Sequence, residues 1–206
     1  VTTNVQLTTE SVAAQLSSMV EAAPDSLVVM ASHGKGRSAA IVGSVANDIL
    51  QRTFGPIMLV GPNVEPGDFT GPLVITVDGS DESEAALSLG VAWAVELSTT
   101  PWIVHVTGHS KPVTGGDLAD AVYLSRLAAE LREASDHPVE FDELHDGHPI
   151  AAVCDDAARR HASLIVASSH GRSGLSRLTL ASVTAGFVRH ATCPVLVFRL
   201  PRLAHA

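Results

Sequence analysis

Apolar residues along this chain form short β-branched runs that alternate with longer segments whose apolar positions recur every three or four residues. Short apolar runs bounded by turn residues are typical of buried parallel strands, and the 3.6-residue period is typical of helices that cover them. After residue 70 the pattern predicts strands at 73–77, 102–106, 139–144, 164–167 and 195–198. It predicts helices at 81–98, 118–134, 150–161 and 182–190. This alternation indicates an α/β fold with a parallel, doubly wound sheet of five strands.

The first 70 residues show the same alternation in a shorter form, with predicted strands at 5–7, 27–31 and 57–60 and helices at 10–22 and 44–54. Comparing the chain with itself shows why. The run SLVV at 26–29 returns as SLIV at 163–166, and SHG at 32–34 returns at 169–171, both at an offset of 137. PIMLV at 56–60 matches PVLVF at 194–198 at an offset of 138. We therefore predict a partial domain over residues 1–70, the first repeat, and a complete domain over residues 71–206, the second repeat.

The first repeat has only the back half of the pattern. Subtracting the offset of 137 from position 71 gives −66, so roughly 66 residues, holding two strands, have no counterpart before Val1. A parallel sheet without two interior strands leaves backbone groups unpaired. We expect the first repeat to pack against the second repeat, against another chain, or against residues outside this sequence.

Composition narrows the class of protein. Apolar residues make up 46% and charged residues 17% of the chain, which suits an aliphatic α/β core and argues against disorder. The net charge of −9 disfavours nucleic acid and anionic membranes as partners, although backbone amides can still bind a small anion. There is no apolar span of 18 residues and no basic-then-apolar leader, so we predict a cytoplasmic protein. Cys154 and Cys193 are predicted to be buried thiols.

The repeated SHG loop follows a buried strand and precedes a helix. Free amides of a first helical turn, together with the helix dipole, form a natural anion site, although a glycine there also serves a plain strand-to-helix turn. The loop is not a P-loop, because Val29 stands at the upstream glycine position and Gly36 at the hydroxyl position. The dinucleotide motif GxGxxG is absent after the strand at 73–77, which is followed by Asp78.

Several stretches of the second repeat resemble the universal stress protein family. They are VDGSDES at 77–83, HV at 105–106, the SSHG loop at 168–171, ASV at 181–183 and CPVLVF at 193–198. The first repeat is similar from its third strand onward. The resemblance implies an adenine nucleotide alpha hydrolase-like, Rossmann-type fold in tandem form. It also implies that the last strands, from Ile57 to Val60 and from Val195 to Phe198, pair within one chain as a pseudo-dimer or between chains as a homodimer.

The resemblance further implies a site for ATP or AMP in the second repeat. ATP-binding members of the family carry GxxG, nine residues, then GS or GT; here Ser168 and Ala181 replace two of the three glycines. By resemblance, the nucleotide-binding residues would be Asp78, Ser80, Val106, Ala167, Ser168, Gly171, Ser182, Val183 and Thr184. In the first repeat Ala31 replaces the first glycine and only eight residues intervene, which leaves a vestigial loop with His33, Gly34, Gly43, Ser44 and Val45.

Two functions remain open at this point. One is a stress-response binding module with an ATP or AMP pocket, favoured by Asp78 and the intact Ser182-Val183-Thr184 run. The other is a structural or interaction protein of the same family that does not bind nucleotide. The replacement of two of the three motif glycines favours it. No nucleophile–base pair emerges, so we do not expect an enzyme, and weak ATP hydrolysis is a minor alternative. The histidines and cysteines show no ligand spacing, so no metal site is predicted.

Overall fold

The fold is known from a computed structural model that describes residues 3–7, 9–23, 25–32, 43–108, 115–168 and 177–199, with the backbone alone at 115–118 and 177–182. Strands and helices alternate along these residues. In chain order they are α1 Val12–Ala22, β1 Val28–Ala31, α2 Ser44–Arg52, β2 Gly55–Val60, β3 Leu73–Val77, α3 Asp81–Glu96, β4 Pro101–Thr107, α4 Gly115–Ser135, β5 Glu140–His145, α5 Pro149–Arg159, β6 Leu164–Ser168, α6 Arg177–His190 and β7 Val195–Arg199.

All seven of these strands belong to one sheet, in the order β1-β2-β7-β6-β3-β4-β5. The strands β3 to β7 pair in parallel throughout and form the predicted five-stranded, doubly wound sheet. The α/β prediction is therefore confirmed. On the other side of β7, β2 and β1 extend this sheet as a parallel pair.

The join between β2 and β7 is antiparallel, with Ile57 opposite Val197 and Leu59 opposite Val195. The two last strands of the repeats thus pair inside one chain, which is one of the two arrangements that the resemblance implies. Because β2 runs antiparallel to β7, the carboxyl ends of β1 and β2 point in the opposite direction from those of β3, β4 and β6.

Helices cover both faces of the sheet and bury it. Helices α1, α2, α5 and α6 contribute to the apolar cluster on one face, where Ile57, Val74 and Ile165 are fully buried. Helices α3 and α4 contribute to the cluster on the other face. Such double coverage explains why β3, β6 and β7 are almost continuously apolar instead of alternating with polar residues.

The predicted strand at 5–7 is wrong. Residues 3–7 form neither helix nor strand, and the side chains of Val5 and Leu7 are 81% and 94% exposed. A strand exists only where a neighbour satisfies its backbone groups, and the pattern of apolar residues cannot supply that neighbour.

The start of α6 also differs from the prediction of residue 182, because the helix begins at Arg177. Residues 182–184 therefore lie in the second turn of α6. This shift matters for the candidate site, since helix interiors use their backbone amides internally. Among the described residues, no helix is long and apolar enough to cross a membrane.

Candidate functional site at the carboxyl edge of the sheet

The strand order reverses between β3 and β6, which are neighbours in the sheet although two strands separate them in the chain. From β3 the chain continues outward to β4 and β5, whereas from β6 it continues to β7 on the other side. In open α/β sheets such a reversal leaves a crevice beyond the carboxyl ends of the two strands, where ligands commonly bind. The residues that follow β3 and β6 therefore define the candidate site.

Asp78 follows β3 directly and is held in a tight turn. Its Oδ1 accepts hydrogen bonds from the Ser80 amide at 3.1 Å and from Ser80 Oγ at 2.6 Å. Gly79, between them, has a φ of 77°, a left-handed conformation that favours glycine. The two hydrogen bonds restrict the rotation of the Asp78 carboxylate at the end of β3.

Ser80 has a second role as the N-cap of α3. Its Oγ accepts a hydrogen bond from the Ser83 amide at 3.2 Å, while Ser83 Oγ donates to the Ser80 carbonyl oxygen at 2.9 Å. The first turn of α3 is acidic, with Asp81, Glu82 and Glu84, and negative charge there is stabilised by the helix dipole. The structure thus brings the two predicted residues, Asp78 and Ser80, into one hydrogen-bonded unit.

The strands β4, β3 and β6 lie side by side where the strand order reverses. Val106 is half-buried and Ala167 is 5% exposed, and both pack against the same apolar cluster, so they lie on one face of the sheet. Thr76 lies on β3 between these strands, two residues after Val74 of the same cluster, and its Oγ1 donates to the Val166 carbonyl oxygen at 3.3 Å. Thr76 was missed from the sequence, although a lone hydroxyl in the run LVITV two residues before Asp78 could have indicated it.

On the other face of the sheet, a buried polar group of His105, Tyr123 and Glu84 packs against the end of β3. His105 is 8% exposed, and its Nδ1 lies 2.8 Å from the Val77 carbonyl oxygen; because a carbonyl can only accept, Nδ1 carries the hydrogen. Tyr123 packs its ring edge against His105 and donates its hydroxyl to Glu84 Oε1 at 2.8 Å. Burial, and then the hydrogen bond to Glu84, raise the pKa of Tyr123 above its ordinary value, so the phenol stays protonated. These contacts fix the end of β3 from which Asp78 projects.

A second polar group at this edge was not predicted. Thr107 Oγ1 donates to Glu143 Oε1 at 3.3 Å and lies 2.8 Å from His145 Nδ1. His145 thereby links the ends of β4 and β5. His148 is the N-cap residue of α5, where its amide donates to Asp146 Oδ1 at 2.7 Å while its side chain makes no capping bond.

The predicted phosphate-holding residues are arranged differently from the expectation. Ser168 ends β6 beside the crevice, and Gly171 lies outside the described residues. Ser182, Val183 and Thr184 lie inside α6, where a backbone amide ordinarily bonds the carbonyl four residues earlier. Thr184 is 4% exposed and Val183 is 46% exposed, so only one of these two side chains faces outward.

The described residues that flank the loop of the first repeat follow β1 and precede α2, at the opposite ends of the strands from Asp78. His33 and Gly34 are outside the described residues, whereas Gly43, Ser44 and Val45 form the N-cap and first residues of α2. The Gly43 amide donates to the Ser32 carbonyl oxygen at 2.7 Å, and the Ser32 amide donates to Val60 at 2.9 Å. Ser32 and Gly43, the described residues on either side of this loop, therefore lie away from Asp78.

Within the described ranges, no three His, Cys, Asp or Glu side chains come together in a way that could hold a metal ion. Cys154 and Cys193 are free and buried in the cluster beneath α5 and α6.

Comparison with known protein families shows to which family the chain belongs. The model of the universal stress protein family matches residues 70–199. This chain belongs to the universal stress protein family. The match begins beside the boundary predicted at residue 71, while the division into a partial and a complete domain stays a prediction.

Two relatives illustrate how the family covers the chain. A universal stress protein of Mycobacterium tuberculosis is 29% identical over 186 residues, covering 84% of this chain and 61% of the relative. One of Bacillus subtilis is 30% identical over 145 residues, covering 62% of this chain and 97% of the relative. This universal stress protein thus spans about three fifths of the length of the mycobacterial relatives that it matches.

Solved structures of the family share the fold. A universal stress protein from Archaeoglobus fulgidus gives a TM-score of 0.65 at 20% identity, covering 90% of this chain and 65% of that one. Another from Archaeoglobus fulgidus, in complex with dAMP, gives 0.51 at 22% identity and covers 63% of this chain and 98% of that one. A universal stress protein in complex with cAMP gives 0.54 at 21% identity, covering 63% of this chain and 97% of that one.

Proposed function

We propose that this protein is a stress-response binding module that holds an adenine nucleoside monophosphate in the crevice between β3 and β6. The observation that carries the proposal is the Asp78–Ser80 unit at the point where the strand order reverses. A carboxylate fixed at such a point is suited to accept hydrogen bonds from ribose hydroxyls.

The neighbouring residues suit the rest of a nucleoside. Val106, which is half-buried, offers apolar surface against which an adenine ring can lie, on the same face of the sheet as the buried Ala167, and Thr76 on the strand between them adds a hydroxyl. Family members with the same fold have been solved in complex with dAMP and with cAMP, and each of these ligands joins adenosine chemistry to a single phosphate.

The preference for one phosphate over three follows from charge and from α6. Asp78 and the acidic first turn of α3 place negative charge near the crevice, and each added phosphate charge increases the repulsion. The amides of Ser182, Val183 and Thr184 lie within α6 and are not aligned at its first turn, so they do not offset that repulsion. ATP is therefore the weaker ligand of the two in this proposal.

Calorimetric titration with AMP, adenosine and ATP tests the proposal. We expect AMP to bind at least about tenfold more tightly than ATP, and Asp78→Ala to weaken AMP by about tenfold or more. Asp68→Ala is the matched control, because Asp68 also accepts from a hydroxyl two residues on, Thr70 Oγ1 at 2.6 Å, but lies before the amino end of β3. Absence of binding by all three ligands, or equal effects of the two substitutions, would refute the proposal.

A second candidate is an interaction protein of the family that binds no nucleotide. The observation that favours it is the start of α6 at Arg177, which places the motif residues 181–184 inside a helix. The same titration separates the two, since the interaction protein gives no heat with any of the ligands. A cytoplasmic location accompanies both candidates and fits the two free, buried cysteines.

A further inference from the structure

The two strands at the reversal of strand order, β3 and β6, stop pairing before they end. Their paired register ends with Ile75 opposite Val166. Both strands continue for two more residues, to Val77 and Ser168. Over the same level β3 stays paired with β4, and β6 stays paired with β7. The sheet therefore divides between β3 and β6 directly after Ile75, at Thr76.

Thr76 differs in exposure from the rest of β3. The other four residues of the strand are buried, whereas Thr76 is partly exposed. Helices cover both faces of the sheet, so exposure within a strand marks a gap in that cover. Thr76 lies on the face of Val74, which is also the face of Ala167 and Val106. A base that rests on this face beside Val106 therefore adjoins the Thr76 side chain.

The hydroxyl of Thr76 has a defined hydrogen-bonding polarity. Its Oγ1 donates its single hydrogen across the division to the Val166 carbonyl oxygen at 3.3 Å. A hydroxyl has one hydrogen and two lone pairs, so Thr76 offers a ligand a hydrogen-bond acceptor. Val166 is fully buried, and withdrawing the hydrogen from its carbonyl oxygen costs free energy. Thr76 therefore favours a ligand group that donates a hydrogen bond.

We propose that Thr76 selects the base of the bound nucleotide by accepting a hydrogen bond from an exocyclic amino group. The inference rests on the proposed function, in which Asp78 accepts from the ribose of a nucleoside monophosphate. Thr76 and Asp78 are two residues apart, about 7 Å along an extended chain, which is comparable with the length of a purine base. Adenine carries an amino donor at position 6, whereas guanine and hypoxanthine carry an oxo acceptor there. The site thus takes 6-aminopurine nucleotides and discriminates against 6-oxopurine nucleotides.

Calorimetric titration of the 206-residue chain with AMP and with inosine monophosphate tests this inference, because the two ligands differ only in the base. We expect AMP to bind about tenfold more tightly, since the oxo group of inosine monophosphate faces the acceptor of Thr76. Equal affinities for the two ligands, with AMP binding still weakened by Asp78→Ala, would overturn this inference while the proposed function stands.

Two substitutions of Thr76 test whether its hydroxyl carries the preference. Thr76→Val removes the hydroxyl and keeps the shape of the side chain, and we expect it to reduce the preference for AMP to about twofold or less. Thr76→Ser keeps the hydroxyl and should retain the preference. If Thr76 only holds β3 against β6, Thr76→Val changes both affinities equally and leaves their ratio unaltered, which would overturn the inference.

Thr99→Val is the matched control. Thr99 is 7% exposed, and its Oγ1 also donates to a backbone carbonyl oxygen, that of Gly71 at 2.6 Å. Thr99 precedes β4, at the amino ends of the strands and away from Asp78. The ratio of the AMP and inosine monophosphate affinities should therefore match that of the unaltered chain. If Thr99→Val lowers the ratio as much as Thr76→Val does, the inference is wrong; if neither nucleotide binds, the proposed function is wrong as well.

Discussion

The carbonyl oxygen of His161 occupies the position at which a side chain on Gly71 would begin. A Cβ built on Gly71 would overlap that oxygen and lie 3.1 Å from the Ser163 amide nitrogen. The Gly71 carbonyl oxygen accepts from Thr99 Oγ1 at 2.6 Å and from Ser163 Oγ at 2.7 Å. The chain thus enters β3, the strand that ends at Asp78, through a contact between backbones that has no room for a side chain.

We predict that Gly71→Ala lowers the free energy of unfolding by about 2–4 kcal/mol, because the overlap is with backbone that cannot rotate away. Urea denaturation followed by circular dichroism measures it. Gly67→Ala is the control in the same segment, where the added Cβ meets only Glu65 at 3.9 Å, and it should change the free energy by less than about 0.5 kcal/mol. Similar values for the two variants would contradict the steric account.

A buried acid on α5 supports the outer strands. Asp156 is 1% exposed and accepts hydrogen bonds from Arg160 Nε at 2.6 Å and Arg159 at 3.0 Å. Arg160 also donates to Asp142 on β5 at 2.7 Å and stacks on the Trp102 ring at 3.8 Å. Because Arg160 is well shielded, removing its buried partner leaves a desolvated cation.

We therefore predict that Asp156→Ala destabilises the protein by about 3 kcal/mol. Chemical denaturation at low and high salt is the measurement, and the loss should persist at high salt because the pair is buried. Asp155→Ala removes an exposed neighbouring carboxylate from the same helix and should be nearly silent. A loss for Asp156→Ala that salt abolishes would mean that the pair acts as an ordinary surface contact.

The two buried thiols should make the protein less stable at alkaline pH. Burial, and then the nearby Cys193 and Asp155, raise the pKa of Cys154 to about 12, and burial raises the pKa of Cys193 to about 11 although backbone amides partly offset it. In the unfolded chain both thiols ionise near pH 9. Above that pH the unfolded state loses protons that the folded state keeps, so stability falls as pH rises.

We expect the free energy of unfolding to fall by about 2–4 kcal/mol between pH 9 and pH 11 through these thiols. The measurement is denaturation at each pH of the native chain against the double variant Cys154→Ala with Cys193→Ala. The comparison subtracts the contribution that other groups titrating at alkaline pH, such as Tyr123, make to the pH dependence of stability. If both proteins lose stability in parallel, the thiols do not carry the effect.

Ser80 and Ser11 provide a matched pair for the candidate site. Each hydroxyl caps a helix, since Ser80 Oγ accepts from Ser83 and Ser11 Oγ accepts from Ala14, both at 3.2 Å. Only Ser80 also holds Asp78. Both alanine variants should lose about 1 kcal/mol of stability, but Ser80→Ala alone should weaken AMP binding several-fold. Equal AMP affinities of the two variants would mean that the hydrogen bond between Ser80 and Asp78 does not contribute to AMP binding.

The order of strands and helices could be predicted from the sequence because it depends on local periodicity. The run VLVF is apolar at every position and LVITV at every position except Thr76, and such runs form strands that are buried on both faces. Asp78 and Ser80 could be placed together because they are two residues apart at the end of a buried strand. The contact of Thr76 with β6 and the Thr107–Glu143–His145 group could not, because strand pairing and register bring these residues together.

The segment 5–7 and α6 show where local patterns fail. An alternating run is a strand only if a neighbour offers hydrogen bonds, and Val5 and Leu7 have none in the described sheet. The start of α6 was predicted at Ser182 from the apolar pattern, whereas the helix begins at Arg177, because extending an existing helix needs no new nucleation.

By itself, the sequence determined the α/β class, the family, the repeated loop and the carboxylate after β3, because each of these depends on residues close together in the chain. Only the tertiary structure decided that β2 runs antiparallel to β7, so that the carboxyl ends of β1 and β2 lie at the opposite ends of the strands from those of β3 and β6. Those features depend on which distant segments pair and in which direction. Pairing between distant segments is selected by packing and hydrogen bonding across the whole sheet, which no local pattern records.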